Sequence, residues 1–159
     1  MTETLSKHER NLSAAIHGST LSRFFIPFGN FLLPLVLWLA NRQQHPFVDY
    51  NGKQALNFQI SFLLYSVVLG VFSVPFFFGL LPDIFHGGIL DIDDFHGLRL
   101  FDFHGENFFR HGFLFWPLGI AGLLHVSLYV LNIVYTILAT IRTNEGQYFK
   151  YPLTIGFIK

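Results

Sequence analysis

One stretch of this 159-residue chain limits its possible folds more than any other, because residues 54 to 82 contain no Asp, Glu, Lys or Arg. An α-helix rises about 1.5 Å per residue, and a bilayer core of about 30 Å needs roughly 20 such residues. A second stretch without these residues, 113 to 141, meets the same condition. The sequence therefore predicts an all-α, polytopic helical membrane protein.

The composition agrees with this fold class and excludes several functions. Charged residues make up 13% of the chain and hydrophobic residues 52%, whereas a soluble domain carries about a quarter charged residues. The formal net charge is zero and no basic cluster is present, which argues against a nucleic-acid partner. Without cysteine, the chain cannot form disulfides, cysteine-ligated metal sites or a thiol nucleophile.

We predict a single membrane domain over residues 1 to 159 with about four helical segments. The first two form an N-terminal hairpin that turns near Pro27 and Gly29, two residues that interrupt a helix. Whether this hairpin spans the membrane fully or re-enters on the same side is left open. The predicted helices cover residues 5–25, 29–41, 54–82 and 113–142, with an acidic, histidine-containing extracytoplasmic loop at 83–112 and a cytoplasmic tail at 143–159.

The distribution of positive charge predicts the topology, since short cytoplasmic loops carry the excess of Lys and Arg. If residues 11 to 41 enter the membrane and return, seven of the ten basic residues share one side. Both termini are then cytoplasmic. Arg23 is placed at the far side of the hairpin, where it has to snorkel or find a partner.

Two segments at the cytoplasmic face are candidates for a functional surface. Residues 45 to 59, called the joint here, are predicted to turn at Asn51 and Gly52, and the tail has a similar set of Gly, Tyr and Lys residues. Such residues either anchor the chain at the membrane interface or dock a partner protein. The docking candidates are Phe47, Asp49, Tyr50, Lys53, Asn57, Gln59, Tyr148, Lys150 and Tyr151.

The outer loop repeats the tripeptide Phe-His-Gly three times and ends with Arg-His-Gly. Its histidines, interleaved with carboxylates, are a candidate site for a transition metal, although their spacing is wider than that of a preorganised site. A solvated loop and a pH-sensing loop are the alternatives, and the acidic run at 91–94 lacks the pattern of a calcium loop. The candidate metal ligands are His86, His96, His104 and His111.

The predicted membrane spans contain few residues that could take part in catalysis or proton transfer. His125 is the ionisable residue there, and it fits either a hydrogen bond to a neighbouring helix or a proton relay. No nucleophile elbow, zinc-protease motif or phosphate loop is present. The sequence therefore predicts a protein without catalytic activity or cofactor.

Several motifs resemble a small bacterial membrane family that includes the magnetosome proteins MamF and MmsF and is related to the Tic-type component of the chloroplast import channel. The similarity covers roughly residues 8–82 and 112–159, while the loop between them is longer and more acidic. It implies a helical bundle of the bacterial inner membrane with no catalytic residues. The matching residues are Phe28-Gly29-Asn30, Pro34, Trp38, Phe47-Val48-Asp49, 52–59, 144–148 and 151–154.

Together, these features predict an accessory, scaffold or assembly factor that binds other integral membrane proteins, with the protein-translocation machinery as a candidate partner. The alternative is a metal-binding or ion-handling membrane protein that uses the outer loop.

Overall fold

The computed structural model describes the backbone of residues 5–85 and 105–159 and the side chains of residues 5–78 and 116–159. Over this part of the chain all the regular secondary structure is helical, which confirms the all-α part of the predicted fold class. The helices are α1 (Lys7–Ser19), a 3-10 helix (Thr20–Phe24), α2 (Gly29–Asn41), α3 (Pro46–Phe85) and α4 (Gly105–Asn144).

Helix α1 begins with a capping box that the sequence encodes as Ser6-x-x-Glu9. The Ser6 hydroxyl accepts from the Glu9 N–H at 3.1 Å, and the Glu9 carboxylate accepts from the Ser6 N–H at 2.9 Å. These bonds occupy N–H groups that a helix start leaves unpaired. The Ser6 backbone hydrogen bond, the largest cause, lowers the pKa of Glu9.

The predicted helix over residues 5–25 is two elements, since α1 ends at Ser19 and a 3-10 helix follows. The Ser19 and Thr20 hydroxyls donate to the carbonyls of Ile16 and His17, each at 2.8 Å. Hydroxyl groups bonded to preceding carbonyls compete with regular helical bonding. The chain then reverses at Phe28, which has a left-handed φ of 58° before α2 begins.

The predicted turn at Asn51 and Gly52 is wrong, because α3 starts at Pro46 and includes the whole joint. Proline suits the first helical position, where its missing N–H has no helical partner. Gly52 serves a close contact instead: a Cβ atom built there would overlap the Trp38 side chain of α2. The small residue lets the two helices approach, and no turn is involved.

The segment between the long helices is shorter than predicted, since α3 continues to Phe85 and α4 starts at Gly105. Helix α4 ends at Asn144, two residues beyond the predicted end. The predicted metal ligands His86, His96 and His104 lie outside the described residues. His111 is in α4, but its side chain is outside them as well.

The chain divides into two compact units. The first comprises the chain up to Tyr65 and Leu128–Lys159, and it contains both hydrophobic clusters. One cluster joins α1, α2 and the start of α3 around Ile16, Trp38 and Val48. The other joins α3, α4 and the tail around Phe58, Ala139 and Tyr151.

The described part of the second unit, Ser66–Ser127, is the following part of α3 and the preceding part of α4. Its described side chains are largely exposed and apolar, as at Val71 (65%), Phe72 (71%) and Trp116 (71%). Two helical stretches, Pro46–Phe78 and Trp116–Asn144, are long and apolar enough to cross a membrane, and only 11% of the apolar window of each is buried. The core helix of a soluble protein is mostly buried, so this exposure points to a membrane protein.

Candidate functional site

Two polar residues of the joint, Asp49 and Lys53, form an ion pair in the first unit. Trp38 Nε1 donates to Asp49 Oδ1 at 2.9 Å, and Lys53 Nζ lies 2.5 Å from Asp49 Oδ2, one helical turn along α3. The guanidinium of Arg42 stacks over the Trp38 ring at 4.9 Å. Asp49 and Lys53 are each about a quarter exposed, so this ion pair remains accessible at the surface.

The joint and the tail meet in a cluster of three aromatic rings, Phe47, Tyr50 and Tyr148, which we call the Tyr148 patch. The ring of Tyr148 packs edge-on against Phe47 at 4.9 Å and against Tyr50 at 5.1 Å. Phe47 is buried, whereas Tyr148 remains 59% exposed. Edge-to-face contacts of this kind stabilise aromatic clusters beyond the area they bury. The structure thus brings into contact two segments that the sequence predicts to lie at the same membrane face.

The tail forms an extended strap along α3, which we call the C-terminal strap (residues 151–158). Asn57 holds its end: the Asn57 Oδ1 accepts from the Phe157 and Ile158 N–H groups at 3.1 and 2.8 Å, and Nδ2 donates to the Ile158 carbonyl at 3.0 Å. One turn further, Ser61 Oγ accepts from the Ile155 N–H at 2.9 Å.

Tyr65 completes this row by donating its hydroxyl to the Leu153 carbonyl at 2.8 Å. Asn57, Ser61 and Tyr65 are spaced by four residues and therefore share one face of α3. The strap runs antiparallel to the helix along that face. Asn57, a predicted docking residue, is thus occupied by the chain's own C-terminal segment.

A buried hydrogen-bonded group ties α1, α3 and the tail together around His17. The Asn51 Nδ2 donates to the Phe47 carbonyl at 2.9 Å, which leaves Oδ1 to face His17 Nε2 at 3.3 Å. His17 Nε2 must therefore carry the proton, so Nδ1 accepts from the Tyr151 hydroxyl at 2.9 Å. Ring contacts with Tyr151 and Phe149 enclose the imidazole.

Burial determines the charge state of this group. His17 is fully buried, and desolvation lowers its pKa to about 4, although the hydrogen bond that His17 donates to Asn51 acts in the opposite direction. Burial likewise raises the pKa of Tyr151 above its usual range. Both residues are consequently neutral at pH 7, and they join two elements that lie far apart in the sequence.

A second polar group, which we call the Arg23 cluster, consists of Arg23, Asn30, Gln59 and Asn132. The Arg23 Nη2 donates to the Asn132 Oδ1. The Gln59 Oε1 accepts from Asn30 Nδ2 at 3.2 Å and from Asn132 Nδ2 at 3.4 Å. Because a guanidinium stays protonated in proteins, the cluster carries a positive charge.

The predicted docking residues separate into a buried group and an accessible group. Phe47, Asn57, Gln59 and Tyr151 are buried within the first unit, where they pack or bond to this chain. Tyr148 and Lys150 are exposed, and Asp49, Tyr50 and Lys53 are partly exposed. Only the second group can offer an appreciable surface to another protein.

His125 lies in the second unit and contacts two backbone carbonyls. Its Nδ1 is 2.9 Å from the Ala121 carbonyl of its own helix, and its Nε2 is 3.3 Å from the Ser66 carbonyl of α3. A hydrogen bond to a neighbouring helix was one of the two interpretations of this residue. Within the described residues, no group of three His, Asp or Glu side chains is placed to hold a metal ion.

Sequence reasoning missed His17 and the residues that bond to the strap. His17 follows the apolar Ile16 in a helix that also carries His8, and nothing in that pattern marks it as buried. The spacing of Asn57, Ser61 and Tyr65 is a signal that was present, since three polar residues at intervals of four in an apolar helix share a face. A partner for that face was the missing information.

Comparison with known proteins identifies the family. A family model described as the magnetosome magnetite crystal formation protein family, MamF_MmsF, matches residues 8–158. No curated protein and no solved structure matches the chain. The match covers α1 from its second residue, the joint, both long helices and the C-terminal strap, and it confirms the resemblance to MamF and MmsF. The chain belongs to the MamF/MmsF family of magnetosome magnetite crystal formation proteins.

Proposed function

We propose that this protein is a non-catalytic integral membrane protein that binds other membrane proteins as an accessory, scaffold or assembly factor. The Tyr148 patch carries the proposal, because it presents a largely exposed tyrosine supported by two further rings. Tyrosine is enriched among the residues that dominate protein interfaces. The partly exposed pair of Asp49 and Lys53 adds polar groups on the same helix.

The other polar residues that could bind a ligand have a structural role in this protein. His17, Asn57 and Tyr151 have the side-chain chemistry of binding or catalytic groups, yet each is buried and bonded to another part of the same chain. These bonds join α1, α3 and the tail, and they should limit the motion of the segments that carry the Tyr148 patch. A rigid support is what a docking surface needs, because fewer groups have to be ordered on binding.

The family suggests where such docking takes place. Because the family description names magnetite crystal formation in magnetosomes, we propose that the partners are integral proteins of a magnetosome-type membrane or of the bacterial inner membrane. Both termini and the Tyr148 patch would face the cytoplasm, as the distribution of positive charge predicts. The proposed relationship to the Tic-type import component makes the protein-translocation machinery a second partner class.

Purification of the tagged full-length protein from native membranes in mild detergent, followed by mass spectrometry, tests this proposal. A stoichiometric membrane protein should be recovered with the unaltered chain. Tyr148→Ala should reduce its recovery about tenfold, since truncating a central interface tyrosine has effects of that order. Phe72→Ala removes a ring of the second unit that is even more exposed than Tyr148 and should leave recovery unchanged. Equal recovery with both variants, or no partner at all, would refute docking at the patch.

A second candidate function is metal handling by the segment around His86, His96, His104 and His111. The family description favours it, because magnetite is an iron mineral, and imidazole and carboxylate groups bind transition metals. Elemental analysis of the purified protein provides the test. Bound metal that disappears when the four histidines are replaced together would support this function, and a metal-free protein would refute it.

A further inference from the structure

The Arg23 cluster carries a positive charge that no carboxylate neutralises. Among the described residues, the ion pairs join Glu9 with His45, Asp49 with Lys53 and Arg142 with Glu145. Arg23 instead bonds to the amide of Asn132 and lies over the ring of Tyr129 at 5.1 Å. Its guanidinium is partly buried, and a buried cation is costly unless an anion compensates it.

The same cluster leaves hydrogen-bond donors unused. Gln59 is 2% exposed, and its Oε1 accepts two bonds while its Nε2 has no partner in the described part of the chain. The Arg23 Nε and the Ser22 hydroxyl are also buried without a partner there. Nearly all buried polar groups in native proteins are hydrogen-bonded. Eight side-chain atoms of the described residues are buried without a partner, and three of them belong to Ser22, Arg23 and Gln59. A ligand that supplies acceptors would pair these three.

The start of α2 adds to the positive potential at this place. The residue before the helix is Phe28, whose side chain cannot accept a hydrogen bond from the N–H groups of the first turn. That turn also carries no acidic residue. The N-terminal end of a helix carries a partial positive charge that favours anions. Asn30, in this first turn, bonds directly to Gln59, so the helix end and the unpaired donors belong to the same site.

The surroundings are those of a lipid ligand. Four large apolar residues next to Arg23 are strongly exposed, with values of 52% for Phe24, 87% for Phe25, 46% for Ile26 and 75% for Phe28. Exposed apolar side chains next to an arginine suit the boundary of the membrane, because the apolar groups can contact acyl chains while the guanidinium extends toward the phosphate layer.

We propose that the Arg23 cluster binds the phosphate of an anionic phospholipid headgroup, with Arg23, Gln59 and Ser22 as donors and the exposed apolar residues against the acyl chains. Charge-assisted hydrogen bonds from a guanidinium to phosphate oxygens are strong and directional. The ligand would satisfy all three unpaired donors and neutralise the charge. The site lies in the first unit and shares no residue with the Tyr148 patch.

Native mass spectrometry of the detergent-solubilised full-length protein tests this site, with dioctanoyl phosphatidylglycerol as the probe and dioctanoyl phosphatidylcholine as the comparison. We expect one phosphatidylglycerol molecule to bind more tightly than phosphatidylcholine. Gln59→Glu keeps an oxygen for Asn30 and Asn132 but replaces the unpaired donor by a carboxylate, so it should weaken binding at least about tenfold. Gln147→Glu makes the same change on the exposed surface and should have no effect.

A second pair of variants separates charge from folding. Arg23→Gln should weaken phosphatidylglycerol binding by a similar factor, whereas Arg142→Gln removes an exposed positive charge and should not. Helix content, measured by circular dichroism, shows whether each variant is folded. Unchanged binding in a folded Gln59→Glu variant would overturn the proposal. Inorganic phosphate that binds as tightly as phosphatidylglycerol would overturn the lipid assignment and identify a free anion as the ligand.

Discussion

A buried neutral histidine makes the stability of the first unit dependent on pH. The pKa of His17 falls from its usual 6.5 to about 4 because the ring is fully desolvated. Below pH 6.5 His17 binds a proton in the unfolded chain but stays neutral in the folded chain. Its contribution to the free energy of unfolding is therefore fully present above pH 6.5 and is lost as the pH falls toward 4. This difference between the pKa values of His17 in the unfolded and folded chain corresponds to roughly 3 kcal/mol of unfolding free energy.

Thermal unfolding in detergent, followed by circular dichroism between pH 4 and 7.5, measures this effect. The unfolding midpoint should fall as the medium is acidified. His17→Gln cannot titrate and should remove most of the dependence, whereas His8→Gln changes an exposed histidine of the same helix and should preserve it. A midpoint of the unaltered protein that is constant between pH 6.5 and 4 would contradict the assignment.

Gly52 illustrates a second effect at the level of one residue. Gly52→Ala places a methyl group against the Trp38 side chain, and overpacking of this kind costs about 1–3 kcal/mol. Gly70 lies in the same helix with nothing within 4 Å of its Cβ position, so Gly70→Ala should be neutral or stabilise by up to about 1 kcal/mol. Chemical unfolding in mixed micelles compares the two variants, and similar effects from both would show that the close contact is unimportant.

At the scale of elements, the C-terminal strap depends on the polar row of α3. Asn57→Ala removes the acceptor of two strap N–H groups and the donor to one carbonyl. Amide hydrogen exchange should therefore become at least about tenfold faster at Ile158. The increase should be smaller at Phe157, because its N–H also bonds to the Ile155 carbonyl at 3.1 Å. Asn144→Ala, at the exposed end of α4, should leave these amides protected. Fast exchange at both amides in the unaltered protein would rule out a bound strap.

The elements also show which features sequence patterns capture. Long uncharged stretches predicted the two long helices because length and hydropathy alone determine whether a helix can cross a bilayer. The start of α3 was missed because Asn51-Gly52 has the local chemistry of a turn, while the packing of Trp38 on Gly52 keeps the segment helical. Tertiary contact overrode local propensity at that point.

The candidate surface was only partly predictable for the same reason. Periodicity and composition placed Tyr50, Lys53 and Tyr148 near the membrane face, but they gave no sign that Tyr148 packs on Phe47 and Tyr50. Nor did they separate Asn57 and Tyr151, which serve the fold, from the exposed residues. Contacts between residues about 100 positions apart, such as Asn57 with Ile158, produce no periodic pattern by which a single sequence could predict them.

At the scale of the whole molecule, the charge distribution predicts that both termini lie on the same, cytoplasmic side. Cytoplasmic and periplasmic reporter proteins fused before Lys7 and after Lys159 test this in bacterial cells. Both positions should be active only with the cytoplasmic reporter, because the excess of Lys and Arg stays inside. Termini on opposite sides would show an odd number of crossings and would require another topology for residues 11 to 41.

We propose that the protein holds a membrane partner at the Tyr148 patch. Photo-crosslinking in native membranes is the most direct test, with a benzophenone amino acid placed at Tyr148 and, as control, at Phe72, which is also strongly exposed. We expect position 148 to yield a specific adduct with another membrane protein and position 72 to yield none. Adducts with lipid alone at position 148, or the same protein adduct at both positions, would contradict it.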